Sequence, residues 1–237
     1  MAARWRKWAA RAMLPFAFTL APKSIHKSEM PKAPPSNAAI RSAYVQPEPK
    51  IKWQYPLPAP ARLRKTPPSN FELHVKKSLK DINTAPVMRK AVYENARSSG
   101  IPAQFVESVI IKESGGAKKK LRYGPMQVNE RTVRELREKH GIKITKISDI
   151  SQNILAGCAT LGIYNERLQG EWFYERGVRK NFSELGRETQ VAVLYATYRQ
   201  GPRRVLDKRH IEKIMTPHEE RFLEIYRIVG ALYAGRA

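Results

Sequence analysis

Residues 101–128 read IPAQFVESVIIKESGGAKKKLRYGPMQV. A proline-started helix, a double-glycine break, a basic loop and a Gly-Pro-Met-Gln turn follow one another. At about 100° per residue, Pro102, Val106, Val109 and Ile110 fall within about 60° of Glu113 on a helical wheel. A carboxylate therefore sits on an apolar stripe, in the last turn before Gly115 and Gly116 stop the helix. Two readings of that carboxylate are open. Burial favours the protonated form, the state required of a general acid. Alternatively, a glutamate at a helix end turns out to water or pairs with an arginine.

Two further patterns lie downstream. One is Asn153-Ile154 with Gly157 and Thr160-Leu161, and the other runs Thr197-Tyr198-Arg199-Gln200-Gly201-Pro202-Arg203-Arg204-Val205. With Glu113-Ser114 and Gly124, Met126 and Gln127, they stand in the order found in soluble lytic transglycosylases, bacterial relatives of goose-type lysozyme. The chain resembles that family over roughly residues 85–235. The resemblance implies an all-α, lysozyme-like (goose-type) catalytic domain that cleaves peptidoglycan glycan strands. Glu113 would be its single catalytic acid and base, with Ser114, Met126, Gln127 and Tyr198 binding substrate. It further implies protonation of the glycosidic oxygen between N-acetylmuramic acid and N-acetylglucosamine. Closure of the muramic 6-hydroxyl onto the anomeric carbon then gives a 1,6-anhydro product. No metal or organic cofactor is implied.

The residues themselves leave alternatives. Met126 reads equally as a core methionine and Gln127 as a turn residue. Tyr198 falls on one helical stripe with Val191, Leu194 and Tyr195, so it reads as core; the resemblance instead sets its hydroxyl opposite Glu113, to bond that carboxylate or a sugar group. Most glycosidases use two carboxylates. The three aspartates, Asp81, Asp149 and Asp207, lie outside the three motifs, and Glu107 points roughly 120° away from Glu113 on the wheel. Trp172-Phe173-Tyr174 reads as a loop after Gly170, outside the site. The chain departs from the family twice. Gln127 follows Glu113 by only 14 positions, across the loop Ala117–Arg122, so the family's substrate-contacting serine has no counterpart. Arg199 replaces the asparagine that follows the motif tyrosine.

Composition limits the partners. Of 237 residues, 44 are Lys or Arg and 21 are Asp or Glu, a formal net charge of +23. An anionic partner is expected: wall polymer, membrane surface or nucleic acid. Nucleic acid is the minor reading, resting on Val128–His140 as a basic recognition helix. A single cysteine, Cys158, excludes an intrachain disulfide and reads as a small core residue. The five histidines show no metal-ligand spacing.

Three segments follow from the pattern. Residues 1–21 combine Arg4, Arg6, Lys7 and Arg11 with a short apolar run, as in an export signal or a basic membrane-surface segment, so the expected location is the periplasm or cell envelope. Residues 22–69 form a proline-rich, largely unstructured linker, with 11 of the 17 prolines between Pro22 and Pro68. Residues 70–237 form the catalytic domain. Its helices are read at 70–82, 84–99, through Glu113, at 130–140 capped by Asn129, from Ser148 or Asp149 to about 168, at 186–199, and from a Thr216–Glu219 capping box onward. No alternating strand pattern stands out. A wall-binding protein without activity and a hydrolysing muramidase on the same fold are the competing functions. A long linker before a small domain leans towards a role beside an envelope-spanning secretion or conjugation machine.

Overall fold

The computed structural model describes residues 69–116 and 122–235. The export segment read at 1–21, the linker apart from Ser69, and loop residues 117–121 lie outside the described residues.

Among the described residues the architecture is helical. Helix α1 (Asn70–Thr84) begins where the Ser69 hydroxyl accepts the Glu72 N–H at 3.1 Å, and it buries Val75, Leu79 and Ile82. Pro86 opens α2 (Pro86–Ser98), whose buried stripe is Met88, Ala91, Val92 and Ala96. Helix α3 (Ala103–Ser114) is buried on nearly every side from Gln104 to Ile111, as its apolar sequence requires. It stops at Gly115, whose left-handed φ of 66° lets its N–H reach the Ile111 carbonyl. Gly116 follows at φ 81°, and a Cβ there would meet Ser78 of α1 at 2.7 Å. The Ser78 hydroxyl in turn donates to the Gly115 carbonyl at 3.0 Å. The end of the Glu113 helix is thus fastened to α1.

Asn129 caps α4 (Glu130–His140), and Gly141 ends it in the left-handed region. Asp149 caps the long α5 (Ile150–Gln169), which packs against α2. The two-stranded sheet that follows differs from the all-helical expectation. Strands β1 (Trp172–Glu175) and β2 (Val178–Asn181) pair antiparallel across Arg176-Gly177, with φ of 52° and 78°. Both central residues of such a tight turn need positive φ, and Gly177 adopts it without steric cost. Phe173 points into the core against Phe182, while Tyr174 stacks on His210. The aromatic triplet is a strand rather than a loop.

Helix α6 (Arg187–Gln200) is buried from Gln190 to Thr197 and packs on α5. Two short helices, α7 (Pro202–Lys208) and α8 (Ile211–Ile214), lead to α9 (Pro217–Ala234). Thr216 and Glu219 form the expected capping box of α9. Helix α9 lies across α3 and α6 and joins them through aromatic rings. Phe222 meets Phe105 of α3 with centroids 5.2 Å apart and stacks on Tyr195 of α6 at 4.0 Å and 8°. All three rings are fully buried, each worth roughly 2 kcal/mol of transfer free energy.

Candidate active site

Glu113 occupies the last turn of α3 and is partly exposed, so the burial expected from its stripe is incomplete. Its Oε1 accepts the Tyr195 hydroxyl at 2.8 Å. Among the described residues no hydrogen bond is made to Oε2. Tyr195 is fully buried and held by its stack on Phe222. Burial first, then the Glu113 charge and the hydrogen bond to it, push the Tyr195 hydroxyl far above the ordinary tyrosine range. Tyr195 therefore remains a donor, fixing one oxygen of Glu113 and leaving the other for chemistry.

The turn at 123–127 stands beside this acid and is clamped by Asn153 of α5. Asn153 is fully buried. Its oxygen accepts the Met126 N–H at 2.8 Å, and its amide donates to the carbonyls of Tyr123 (2.6 Å) and Ile147 (3.1 Å). Gly124 presses so closely that a Cβ would lie 2.4 Å from the Asn153 side chain. Gly157, one helical turn on, leaves room for Met126, whose sulfur would lie 2.4 Å from an added Cβ. These contacts supply the physical content of the Asn153-Ile154 and Gly157 pattern.

The residues singled out by sequence fall as follows. The Ser114 hydroxyl turns back onto its own helix and donates to the Ile110 carbonyl at 2.6 Å. Met126 is fully buried, against α5. Gln127 is partly exposed, has a φ of 51°, and folds its amide onto the Gly124 carbonyl at 2.6 Å. The Tyr198 hydroxyl donates to the Met126 carbonyl at 2.8 Å. Burial, and after it the Glu113 charge, raise the Tyr198 hydroxyl well above its usual range. Tyr198 thus feels Glu113 and braces the turn, while Tyr195, three residues earlier on the same stripe, makes the bond to the acid. The structure brings together Glu113, Tyr195, Tyr198 and the 124–127 turn.

Two buried acidic groups, Glu107 and Glu219, are occupied elsewhere. Glu107, also on α3, is fully buried and accepts the Tyr233 hydroxyl at 2.7 Å. Glu219 is fully buried as well; its charge acts on Tyr195, yet it is engaged by Arg199 and Thr216. Among the described residues no group of three or more His, Cys, Asp or Glu side chains could hold a metal ion. A cavity of about 460 Å³ beside α4, lined by residues including Val133, Arg137 and Ile144, shares no residue with this site.

The family model described as the transglycosylase SLT domain matches residues 90–218. The chain belongs to that family. The match runs from α2 to the first turn of α9 and takes in Glu113, the clamped turn and all of α6. No curated protein matches the chain. Membership makes this a peptidoglycan-acting enzyme of the lytic transglycosylase type, on a lysozyme-like helical fold.

Proposed function

We propose that this transglycosylase domain cleaves the β-1,4 bond between N-acetylmuramic acid and N-acetylglucosamine with Glu113 as its single general acid and base. Glu113 protonates the leaving glycosidic oxygen as the bond to the muramic anomeric carbon breaks. The muramic 6-hydroxyl attacks that carbon, and its proton passes to Glu113. The product is a 1,6-anhydro sugar, and no water is consumed.

The observation that carries this reading is the pairing of Glu113 with Tyr195 at 2.8 Å, while the two buried carboxylates among the described residues, Glu107 and Glu219, are both engaged elsewhere. Retaining hydrolases set their two carboxyl groups about 5 Å apart and inverting ones about 6.5–9.5 Å apart. Among the described residues Glu219, whose charge also acts on Tyr195, is fully buried and held by Arg199 and Thr216, so it does not supply that second carboxyl group. Internal attack by the substrate removes the need for it.

The test is mass spectrometry of soluble products after incubation with bacterial peptidoglycan, comparing wild type with Glu113→Gln. Anhydro-muropeptides from the wild type and none from the variant are expected. Reducing-end products would transfer the protein to the hydrolases. The basic, apolar start at residues 1–21 supports export to the periplasm or envelope, where the strands lie, and cell fractionation checks this. The long proline-rich stretch supports service to a secretion or conjugation machine, which co-purification from crosslinked envelopes would reveal.

A further inference from the structure

Tyr195 and Arg199 lie four residues apart on α6 and so share one side of the helix. Tyr195 reaches the acid. Arg199 reaches sideways to the start of α9, where its Nε (3.1 Å) and Nη2 (2.9 Å) both donate to one oxygen of Glu219. The other Glu219 oxygen accepts the Thr216 backbone N–H at 3.2 Å and the Thr216 hydroxyl. Glu219 is fully buried, so it is a rigid anchor. It fixes the guanidinium near enough to Tyr195 for its charge to act on that hydroxyl, while 30% of the Arg199 side chain stays exposed. The contact uses the Nε–Nη2 side edge, with two nitrogens converging on a single oxygen. Among the described residues Nη1 has no acceptor. A planar fork already held on one edge, with donors free on the other, is a receptor for a carboxylate. A neutral acetamido sugar has no need of a charged donor.

We infer that Arg199, anchored by Glu219, binds a carboxylate hung from the muramic residue next to the scissile bond. The inference rests on the peptidoglycan reading above. The carboxylate has two sources: the free lactyl group of a strand without peptides, or the stem peptide of an intact one. The chemistry at Arg199 is the same for both.

The experiment measures binding calorimetrically in a Glu113→Gln background, so that nothing is cleaved. Three oligosaccharides of equal length are compared: a neutral N-acetylglucosamine oligomer, a muramyl glycan stripped of peptides by an amidase, and the peptide-bearing glycan. At least one anionic ligand binds about tenfold more tightly than the neutral one, as expected for a charge-assisted hydrogen bond. The ligand that shows the gain identifies the source. Arg199→Gln alone strands the buried Glu219 charge, so the deciding variant is Arg199→Gln with Glu219→Gln, which keeps an acceptor for Thr216. There the tenfold ratio collapses towards one. Arg199→Lys, a point charge without the fork, loses most of it. Arg203→Gln, which removes an equal charge from a side chain that is 94% exposed, keeps the ratio. An unchanged ratio in the double variant, or an equal loss for neutral and anionic ligands, overturns the inference. Failure of the wild type to cleave any glycan would overturn the functional reading instead, while the binding ratio still decides the role of Arg199.

Discussion

Asn153→Ala isolates the support of the turn beside Glu113. The wild-type side chain holds three backbone groups: the buried Met126 N–H at 2.8 Å and the part-buried carbonyls of Tyr123 and Ile147 at 2.6 and 3.1 Å. Alanine leaves all three without their partner. At about 1 kcal/mol or more for each stranded group, the loss is about 3 kcal/mol. For a domain of this size that lowers Tm by about 6–12 °C, read by circular dichroism. Activity should fall by more than the unfolded fraction explains, because the same turn carries Gln127 and braces Tyr198. Asn153→Asp refines the test. It keeps an acceptor for Met126 but sets an oxygen against two carbonyls, so it is more destabilising at neutral pH than at low pH, where a protonated acid regains one donor. A Tm within about 2 °C of wild type, with full cleavage at 25 °C, would refute the clamp.

Tyr195→Phe removes the donor to Glu113 while keeping the stack on Phe222; kcat on peptidoglycan should fall about tenfold with little change in Tm, since the lost bond ends on a partly exposed carboxylate. Gly157→Ala drives a methyl to within 2.4 Å of the Met126 sulfur and should cost about 1–3 kcal/mol; shortening Met126 to Ala in the same chain should recover part of that loss in a double-mutant cycle. The hydrogen bond from Lys180, helped by one from Thr189, holds Glu175 below the usual carboxylate range. A lowered folded pKa stabilises above the unfolded value near 4.3 and is lost as pH falls through the folded one. Glu175→Gln should therefore lower Tm at pH 7, with the difference fading below about pH 4.

The helices were legible because their ends carry explicit chemistry. Asn129, Asp149 and Thr216 each accept an N–H of the turn they open, and Gly115 and Gly141 adopt the positive φ that closes one. The hairpin was not legible, because four-residue strands give a period-2 pattern too few repeats and both faces mix apolar with polar residues. The signal available was Arg176-Gly177 following the β-prone run Trp172-Phe173-Tyr174. Helices α7 and α8, with seven and four residues, are equally short for a 3.6-residue period. Within the site, Glu113 and the Gly124–Gln127 turn were readable as a motif. The choice between Tyr195 and Tyr198 was not, since residues three apart share a stripe and only the tertiary placement of α6 decides which hydroxyl reaches Glu113. Glu219 was visible as a cap, but its grip on Arg199 depends on the path of α9.

The stack of Phe222 on Tyr195 bears on how such a domain is inherited. Phe222 lies outside the stretch that marks the family, which ends at residue 218, and so does Glu219, the anchor of Arg199. Helix α1, fastened to the end of the Glu113 helix through Ser78, lies before that stretch begins. A gene fragment recombined at residues 90 and 218 would carry Glu113, Tyr195 and Tyr198 into a new protein, yet leave behind the ring that holds Tyr195 in place. The recipient would have to supply an aromatic surface of its own. The contacts that hold the site together therefore extend past the matched stretch into the two flanking helices.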